Sequence, residues 1–339
     1  MKEEKESFFE DSSYAELLNR YEDMIKTDKV VYFDVEEFEG IIDYYLDNHE
    51  YNKAFTATEI GCQQHPDSLS ILIKKGQVFL EKGYPIETLK ILKNMENIDV
   101  FNYDILLLKG NAHCLLGEIS KAEAEFDKAL SLAFEDKIEI IYTITDILTE
   151  CNQYKLALKY LEDELVNDTE NLDLLYETAF CYEKTGNYTK STELLNKYLD
   201  NDPFAENIWV SLGEVYDKLE DYKKAIEAYD FALAINERYF PAIFNKANDL
   251  INLDDYKPAI IVLKDLLKFD NKNLQALCLI GEIYEKLENY DIAVNYYKKI
   301  IEIDFSYSES CRNVYKTCKI TRNGKRSNIT AVRKALGTS

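Results

Sequence analysis

Few residues in this chain of 339 could act as nucleophiles or metal ligands, and their spacing suits neither task. The three histidines, His49, His65 and His113, share no metal-ligand spacing with one another or with a cysteine. Seven cysteines are scattered without a Cys-x-x-Cys pair, which argues against a disulfide framework or a zinc site. We therefore expect no metal site, and we expect the cysteines to be small buried hydrophobes.

One adjacent pair, His113 and Cys114, could suggest a cysteine nucleophile with a histidine base. Adjacent residues on a helix point about 100° apart, which separates the two side chains. Neither a Gly-x-Gly-x-x-Gly segment nor a Gly-Lys-Ser/Thr loop is present, so nothing supports nucleotide binding. The sequence predicts a protein that is not an enzyme and uses no cofactor.

Charge is distributed unevenly along the chain. The net charge is −23, but residues 310–339 contain eight Lys or Arg and no Asp or Glu, which leaves −31 on the rest. An acidic surface of this size repels phosphate backbones and anionic membranes and favours cationic partners. No apolar stretch approaches the roughly 20 residues of a membrane span, and the N-terminus lacks the features of a secretory signal. These features predict a cytoplasmic protein.

The elements that must position any functional side chain repeat every 34 residues. The clearest copy contains, in order, Trp209, Leu212, Gly213, Tyr216, Ala225, Tyr229 and Ala232. Steps of 34 from Gly213, with one step of 35 near Phe134, reach the small residues Gly76, Gly110, Ala179, Ala247 and Gly281. A second, independent marker is a tyrosine at one phase, present as Tyr51, Tyr154, Tyr188, Tyr222, Tyr256 and Tyr290.

This pattern resembles the tetratricopeptide repeat, a helix-turn-helix with Trp-x-x-Leu-Gly-x-x-Tyr followed by Ala, an aromatic residue, Ala and Pro at fixed offsets. The resemblance covers about four fifths of the chain. It implies an all-α, right-handed superhelical solenoid of antiparallel helix pairs. Small residues such as Gly213 and Ala225 let the paired helices cross closely. Three glycines share one phase in the turn between paired helices, where a left-handed backbone favours glycine: Gly83, Gly117 and Gly186.

The period divides the chain into four segments. Residues 1–34 form an N-terminal segment whose amphipathic helix, with Tyr21, Met24 and Ile25 on its apolar face, caps the solenoid. Residues 35–307 hold eight repeats, and residues 308–320 form a C-terminal capping helix. Residues 321–339 form a basic, mobile tail with little to bury. The first two repeats deviate, with Ile42 and Thr88 at positions that are small elsewhere.

The resemblance also implies where a ligand binds. In tetratricopeptide proteins the first helix of each repeat lines the concave surface, and four positions on it meet the ligand. The matching positions include Asp104, Leu107, Asn111, Val210 and Asp217. The residues predicted to bind a partner are Tyr142, Asp146, Asp173, Tyr176, Phe180, Glu214, Phe244 and Asn248. This lining is acidic with aromatic islands.

Such a lining predicts an interaction scaffold or adaptor whose groove binds a cationic, partly apolar peptide or protein segment. The aromatic rings would anchor the ligand, and the carboxylates would steer it. The family's carboxylate clamp holds acidic chaperone tails with Lys and Arg beside asparagines. Here Asn245 and Asn248 are present without those cations, so a chaperone-tail adaptor is not predicted. The fold leaves the partner, the cellular process and the oligomeric state open.

Two other interpretations rest on the basic C-terminal tail. Its cations could dock on nucleic acid or an anionic membrane surface: Arg322, Lys325, Arg326, Arg333 and Lys334. The same tail could instead lie in the acidic groove of its own or a neighbouring molecule, and so cause self-association or autoinhibition.

Overall fold

The computed structural model describes residues 12–27, 29–95, 102–132 and 137–304, and all regular elements within these ranges are α-helices. They are α1 (Ser12–Thr27), α2 (Val35–Asp47), α3 (Tyr51–Gln64), α4 (Leu69–Glu81), α5 (Pro85–Met95), α6 (Tyr103–Leu115), α7 (Ile119–Leu132), α8 (Lys137–Glu150), α9 (Tyr154–Leu165), α10 (Leu172–Lys184), α11 (Tyr188–Asn201), α12 (Glu206–Lys218), α13 (Tyr222–Ile235), α14 (Phe240–Asn252), α15 (Tyr256–Phe269), α16 (Leu274–Lys286) and α17 (Tyr290–Ile303). The predicted all-α architecture is confirmed. Predictions for the C-terminal capping helix and the basic tail concern residues outside the described ranges.

The chain forms two compact units, Met1–Leu161 and Glu162–Ser339. From α2 onward the helices form consecutive pairs, in which even-numbered helices are the first helices and odd-numbered ones the second. In the first unit α6 packs on α7, and in the second unit α12 packs on α13 and α16 on α17. First helices of successive repeats also touch, as α4 does with α6 and α12 with α14. Within each unit the paired helices therefore bury their apolar faces against neighbouring helices.

Helix boundaries follow the period of the sequence. The first helices α10, α12, α14 and α16 begin at Leu172, Glu206, Phe240 and Leu274, which are 34 residues apart. Six second helices begin at the tyrosines that share a phase, Tyr51, Tyr154, Tyr188, Tyr222, Tyr256 and Tyr290. The tyrosine phase therefore marks the start of the second helix.

The turn inside each pair contains one residue with a left-handed backbone. It is a glycine at Gly83, Gly117 and Gly186, where φ is 77°, 74° and 80°, as predicted. Non-glycine residues adopt the same conformation, with φ of 57° to 59°, at His49, Asn152, Glu220, Asp254 and Glu288. At Gly186 the amide donates to the Glu183 carbonyl at 3.0 Å, which satisfies the end of α10. The packing of the two helices therefore imposes this conformation even without glycine.

Small residues in the first helix matter where an aromatic ring faces them. Gly213 of α12 lies under the ring of Tyr229, and a Cβ at this position would overlap that ring. At Gly76 the facing side chain is Leu92, and a Cβ would lie at an ordinary 3.5 Å. The close crossing predicted for Gly213 is confirmed, whereas packing does not require glycine at 76.

The two N-terminal repeats depart from the sequence pattern, but they still form a packed core. The Thr88 hydroxyl donates to the Gly76 carbonyl at 2.9 Å, so this buried polar side chain is satisfied. Helix α1 buries Tyr21 and Met24 in a cluster with Phe38 of α2. The assignment of Ile25 to this face is wrong, because its side chain is 46% exposed.

Candidate functional site

In the first unit the first helices line a cleft of about 760 Å³. Its walls come from α2, α4, α6 and α8, and they include Asp104, Leu107 and Asn111 at positions that the sequence assigned to ligand contact. Desolvation raises the pKa of Asp104, and the nearby Lys74 ammonium opposes this shift. The first helices therefore form a recessed, polar surface in this unit.

Two predicted partner-binding residues, Tyr142 and Asp146, lie on α8. Their neighbours Thr143 and Ile147, rather than these two residues, line the cleft. Tyr142 is half-buried and Asp146 is exposed, yet desolvation raises the pKa of Asp146. Because the side chain remains accessible, we attribute the shift to protein atoms that displace water on one side of the carboxyl group.

The other six predicted residues lie in the second unit, where three of them are half-buried aromatics. Tyr176 on α10 packs against the core cluster that contains Leu195, and Phe244 on α14 packs against the cluster that contains Ile280. Phe180, one turn after Tyr176, has the Lys184 ammonium 4.8 Å from its ring centroid. Each ring is thus held by its own unit while part of it stays accessible.

Glu214 on α12 has the most closely defined surroundings of the predicted acids. Its Oε1 accepts a hydrogen bond from Asn245 Nδ2 at 2.9 Å. Desolvation raises its pKa; Glu183 adds to the shift, whereas Asn245, Lys184 and Lys218 oppose it. Lysines thus lie beside the acids, so this surface is mixed rather than uniformly acidic.

Asp173 and Asn248, the two remaining residues predicted to bind a partner, are exposed. Val210 is different: it is only 5% exposed and packs with Ala225, Tyr229 and Ala242. Its assignment to the lining is wrong, because this part of α12 faces α13 and α14.

Sequence reasoning missed Asp249 on α14, which is 2% exposed. The same position of the repeat carries buried apolar residues elsewhere: Val78, Ala112, Ile147, Cys181, Val215 and Ile283. A carboxylate at a periodic position that is otherwise apolar is a signal that the sequence contained. It is visible only when the repeats are compared position by position.

Asp249 lies beside Asp217 of α12. Burial, and next the Asp217 carboxyl, raise the pKa of Asp249 to about 7, while the Asn252 amide opposes the shift. Its Oδ2 atom is buried and has no hydrogen-bond partner among the described residues. Burial also raises the pKa of the nearby Tyr229 phenol, to which the charges of Asp249, Glu214 and Asp217 contribute. Three acids and one phenol therefore meet where α12, α13 and α14 pack.

The possible nucleophile pair does not form. His113 Nδ1 lies 2.7 Å from Glu118 Oε2, and burial raises the pKa of the Cys114 thiol to about 12. Within the described ranges, no group of three His, Cys, Asp or Glu side chains is placed to hold a metal ion. None of the helices described above is long and apolar enough to cross a bilayer.

A second cavity, of about 580 Å³, was not predicted from the sequence. It lies in the second unit, and its mainly apolar lining includes Leu165, Leu175 and Leu194. Val166, also in the lining, is 79% exposed. Its charged lining residues are two lysines, Lys190 and Lys197, and two glutamates, Glu162 and Glu193, so the cavity is mixed in charge.

Stacked helix pairs with a 34-residue register and small residues under aromatic rings define a helical repeat protein. Models of the tetratricopeptide repeat match residues 173–205, 207–239 and 274–307. The chain therefore contains tetratricopeptide repeats in its second unit.

Its relatives in this family are distant. The chain is 22% identical over 190 residues to anaphase-promoting complex subunit 3 of Schizosaccharomyces pombe, covering 54% of this chain and 29% of that protein. It is 28% identical over 226 residues to a TPR repeat-containing protein of Methanocaldococcus jannaschii, covering 60% and 39%. A crystal structure of the C-terminal part of a TPR repeat-containing protein from Cytophaga hutchinsonii has a TM-score of 0.51 at 15% identity, covering 71% and 99%. The aligned part thus spans well under half of the curated relatives, and the structural likeness shows the fold.

Proposed function

We propose that this protein is a scaffold that binds a cationic, partly apolar segment of another protein on the surface of its first helices. Tetratricopeptide-repeat proteins are protein-interaction scaffolds, which supports the general class. The observation that supports the ligand's character lies in the second unit. There, half-buried aromatic rings on α10 and α14 lie on first helices together with Glu214, whose pKa is raised by desolvation.

Aromatic rings held by their own core offer contact area at a small cost in side-chain entropy, which is why they dominate binding energies. Tyr176 and Phe244 meet this condition. Phe180 already has an ammonium group over its face, a geometry that a ligand cation could also adopt. Partly desolvated carboxylates such as Glu214 attract a cation more strongly than fully hydrated ones, because the local dielectric is lower. The net charge of −23 would steer such a ligand towards the protein.

The first experiment is an affinity pulldown from native cytosol followed by mass spectrometry. Wild type is compared with a triple variant that replaces Tyr176, Phe180 and Phe244 by alanine. A matched control removes three exposed rings that lie outside the first helices, Phe204, Phe231 and Phe269. We expect at least one partner to be lost from the first variant and retained by the control. Retention of every partner by both variants would contradict the proposal and direct attention to the second cavity.

Charge reversal tests the electrostatic part of the proposal. Asp146→Lys, Asp173→Lys and Glu214→Lys are each expected to weaken binding of the recovered partner, more so at low salt. Glu227→Lys, on the exposed side of the second helix α13, is the control for net charge. Unchanged affinity in all three variants rules out a role for these acids.

The basic tail is tested in parallel, because the notion that it docks on polyanions or fills the groove rests on charge alone. Deletion of residues 321–339 should leave partner binding on the first helices intact or strengthen it. If the deletion abolished capture of the same partner, the tail rather than the first helices would be the binding site.

A further inference from the structure

We propose that Glu214, Asp217 and Asp249 form a subsite for the guanidinium group of an arginine side chain in the bound segment. This inference rests on the proposed function and deepens it, because it names the side chain that the surface selects. The three residues are called the acidic triad below. They come from two successive first helices, α12 and α14, which contact each other.

The first argument is the cost of Asp249 to the fold. Six of the seven equivalent positions are apolar and buried, and the seventh is the half-buried Tyr44, so valine or isoleucine would pack here. A buried carboxylate without a full set of hydrogen bonds destabilises the folded state. Local departures from the pattern of a fold of this kind are found at functional sites, where binding offsets the loss of stability.

The second argument is the arrangement of the triad. Glu214 and Asp217 are three residues apart on α12 and so share one face of the helix. The side chains differ in depth, with Glu214 exposed, Asp217 half-buried and Asp249 buried. The Asp249 Oδ2 atom has no hydrogen-bond partner in the described part of the chain, whereas Glu214 already accepts one hydrogen bond from Asn245. The acidic triad therefore presents carboxylate oxygens at different degrees of burial, and the protein supplies too few hydrogen-bond donors for them.

The third argument is the type of cation. The triad carboxylates are not arranged as a metal-ligand set in the described part of the structure. A guanidinium group carries five N–H donors in one plane, so it can reach two or more carboxylates at once. It is also more weakly hydrated than an ammonium group and tolerates partial burial better. These properties favour arginine over lysine.

The charges around Asp249 imply that cation binding is accompanied by proton release. The titratable groups facing Asp249 are Asp217 of α12 and the phenols Tyr222 and Tyr229 of α13. Helix α15, which also packs on α14, contributes apolar residues such as Ala259 and Leu263 to the adjoining core cluster. Near pH 7 the free triad holds part of a proton on Asp249, because the pKa of this carboxyl is about 7. A guanidinium stabilises the ionised form, so the proton leaves for the buffer when the ligand binds.

The test uses an array of immobilised 12-residue peptides of leucine, phenylalanine and serine. One position of each peptide is arginine, lysine, citrulline or glutamate. Peptides that bind wild type are then titrated by calorimetry with wild type, Asp249→Asn, Asp249→Val and Glu227→Gln. The valine variant restores the residue found at position 215 of the preceding repeat, so it should fold. Glu227→Gln removes one charge from the opposite side of the pair.

We expect the arginine peptide to bind roughly tenfold or more tightly than its lysine and citrulline counterparts. Both Asp249 variants should lose roughly tenfold to a hundredfold in affinity for it, and Glu227→Gln should match wild type. Calorimetry at pH 7 in phosphate and in Tris should show proton release for wild type and none for Asp249→Asn. Loss of affinity in a variant that is more stable than wild type would separate a binding role from a folding role.

Two results would overturn the subsite. One is wild-type affinity of both Asp249 variants for the arginine peptide, and the other is equal binding of the arginine and lysine peptides. In either case, if the variant lacking Tyr176, Phe180 and Phe244 failed to bind the peptides that wild type binds, the proposed function would stand without the subsite. If no peptide of any charge bound wild type, the proposed function would fail and the subsite with it.

Discussion

Asp249 should make the stability of the second unit depend on pH, and Asp249→Asn should remove that dependence. The pKa of this carboxyl is raised from its ordinary 3.8 to about 7 by burial and by Asp217. Since each pKa unit corresponds to about 1.36 kcal/mol, ionised Asp249 destabilises the folded state by on the order of a few kcal/mol. Asparagine has a similar shape but stays neutral at every pH, so it escapes this cost.

The sign of the effect follows from proton binding in the two states. Below about pH 4 the carboxyl is protonated in both the folded and the unfolded chain, so its contribution is fully favourable. Between pH 4 and 7 the unfolded chain releases the proton while the folded chain keeps it, and stability falls as the pH rises. Above pH 7 both states are ionised and the loss is complete. The free energy of unfolding of Asp249→Asn, relative to that of wild type, should therefore increase as the pH rises from 4 to 8.

Trp209 provides the assay, because it is the only tryptophan and lies on α12 with Asp217. Its ring stacks on Phe231 with centroids 4.4 Å apart, and its indole N–H donates to the Pro203 carbonyl at 2.9 Å. Urea unfolding followed by its fluorescence reports on this part of the repeat array, whose stability is largely local. The measurement is made from pH 4 to 8.5 at constant ionic strength for wild type, Asp249→Asn and the control Glu227→Gln.

The control should follow wild type at every pH, since Glu227 is an exposed side chain on α13. Titration of carboxyls that do not contact Asp249 cancels in the difference between wild type and Asp249→Asn. Parallel curves for these two proteins from pH 4 to 8 would refute the reasoning. They would mean that Asp249 ionises in the folded state at no cost, and hence that water reaches its carboxyl group.

Three further outcomes are expected. Gly213→Ala should destabilise the protein by about 1–3 kcal/mol, because its Cβ overlaps the Tyr229 ring, whereas Gly76→Ala should be neutral or stabilising by up to about 1 kcal/mol. Urea unfolding measures both changes, and equal losses would contradict the packing argument. Glu220→Gly should stabilise by roughly 0.5–1 kcal/mol, since φ is 58° at this residue, while Glu220→Ala should give no such gain. The Cys181 thiol, whose pKa burial raises to about 12, should react with iodoacetamide at pH 8 at least roughly tenfold more slowly than in urea. Mass spectrometry of the labelled peptides tests this, and equal rates would show that the thiol is accessible.

Much of the fold could be predicted because its determinants are local and periodic. The tyrosines at one phase mark the starts of six second helices, and Gly186 adopts the left-handed turn that its position requires. The partner-binding residues remain a prediction. Their placement on exposed or half-buried parts of first helices was foreseeable from the repeat alone, because equivalent positions face equivalent directions.

The sequence by itself determined the helical class, the 34-residue register and the acidic character of the chain, since each depends on residue types and spacings within one or two repeats. The tertiary structure decided which residues at equivalent positions of the repeat have the same surroundings. Gly213 and Gly76 occupy the same position, but only Gly213 faces an aromatic ring. Asp249 becomes a buried acid beside Asp217 through the contact of α12 with α14, although the two residues are 32 positions apart. Burial and charge proximity depend on which side chains the neighbouring helices bring together, and no periodicity encodes that.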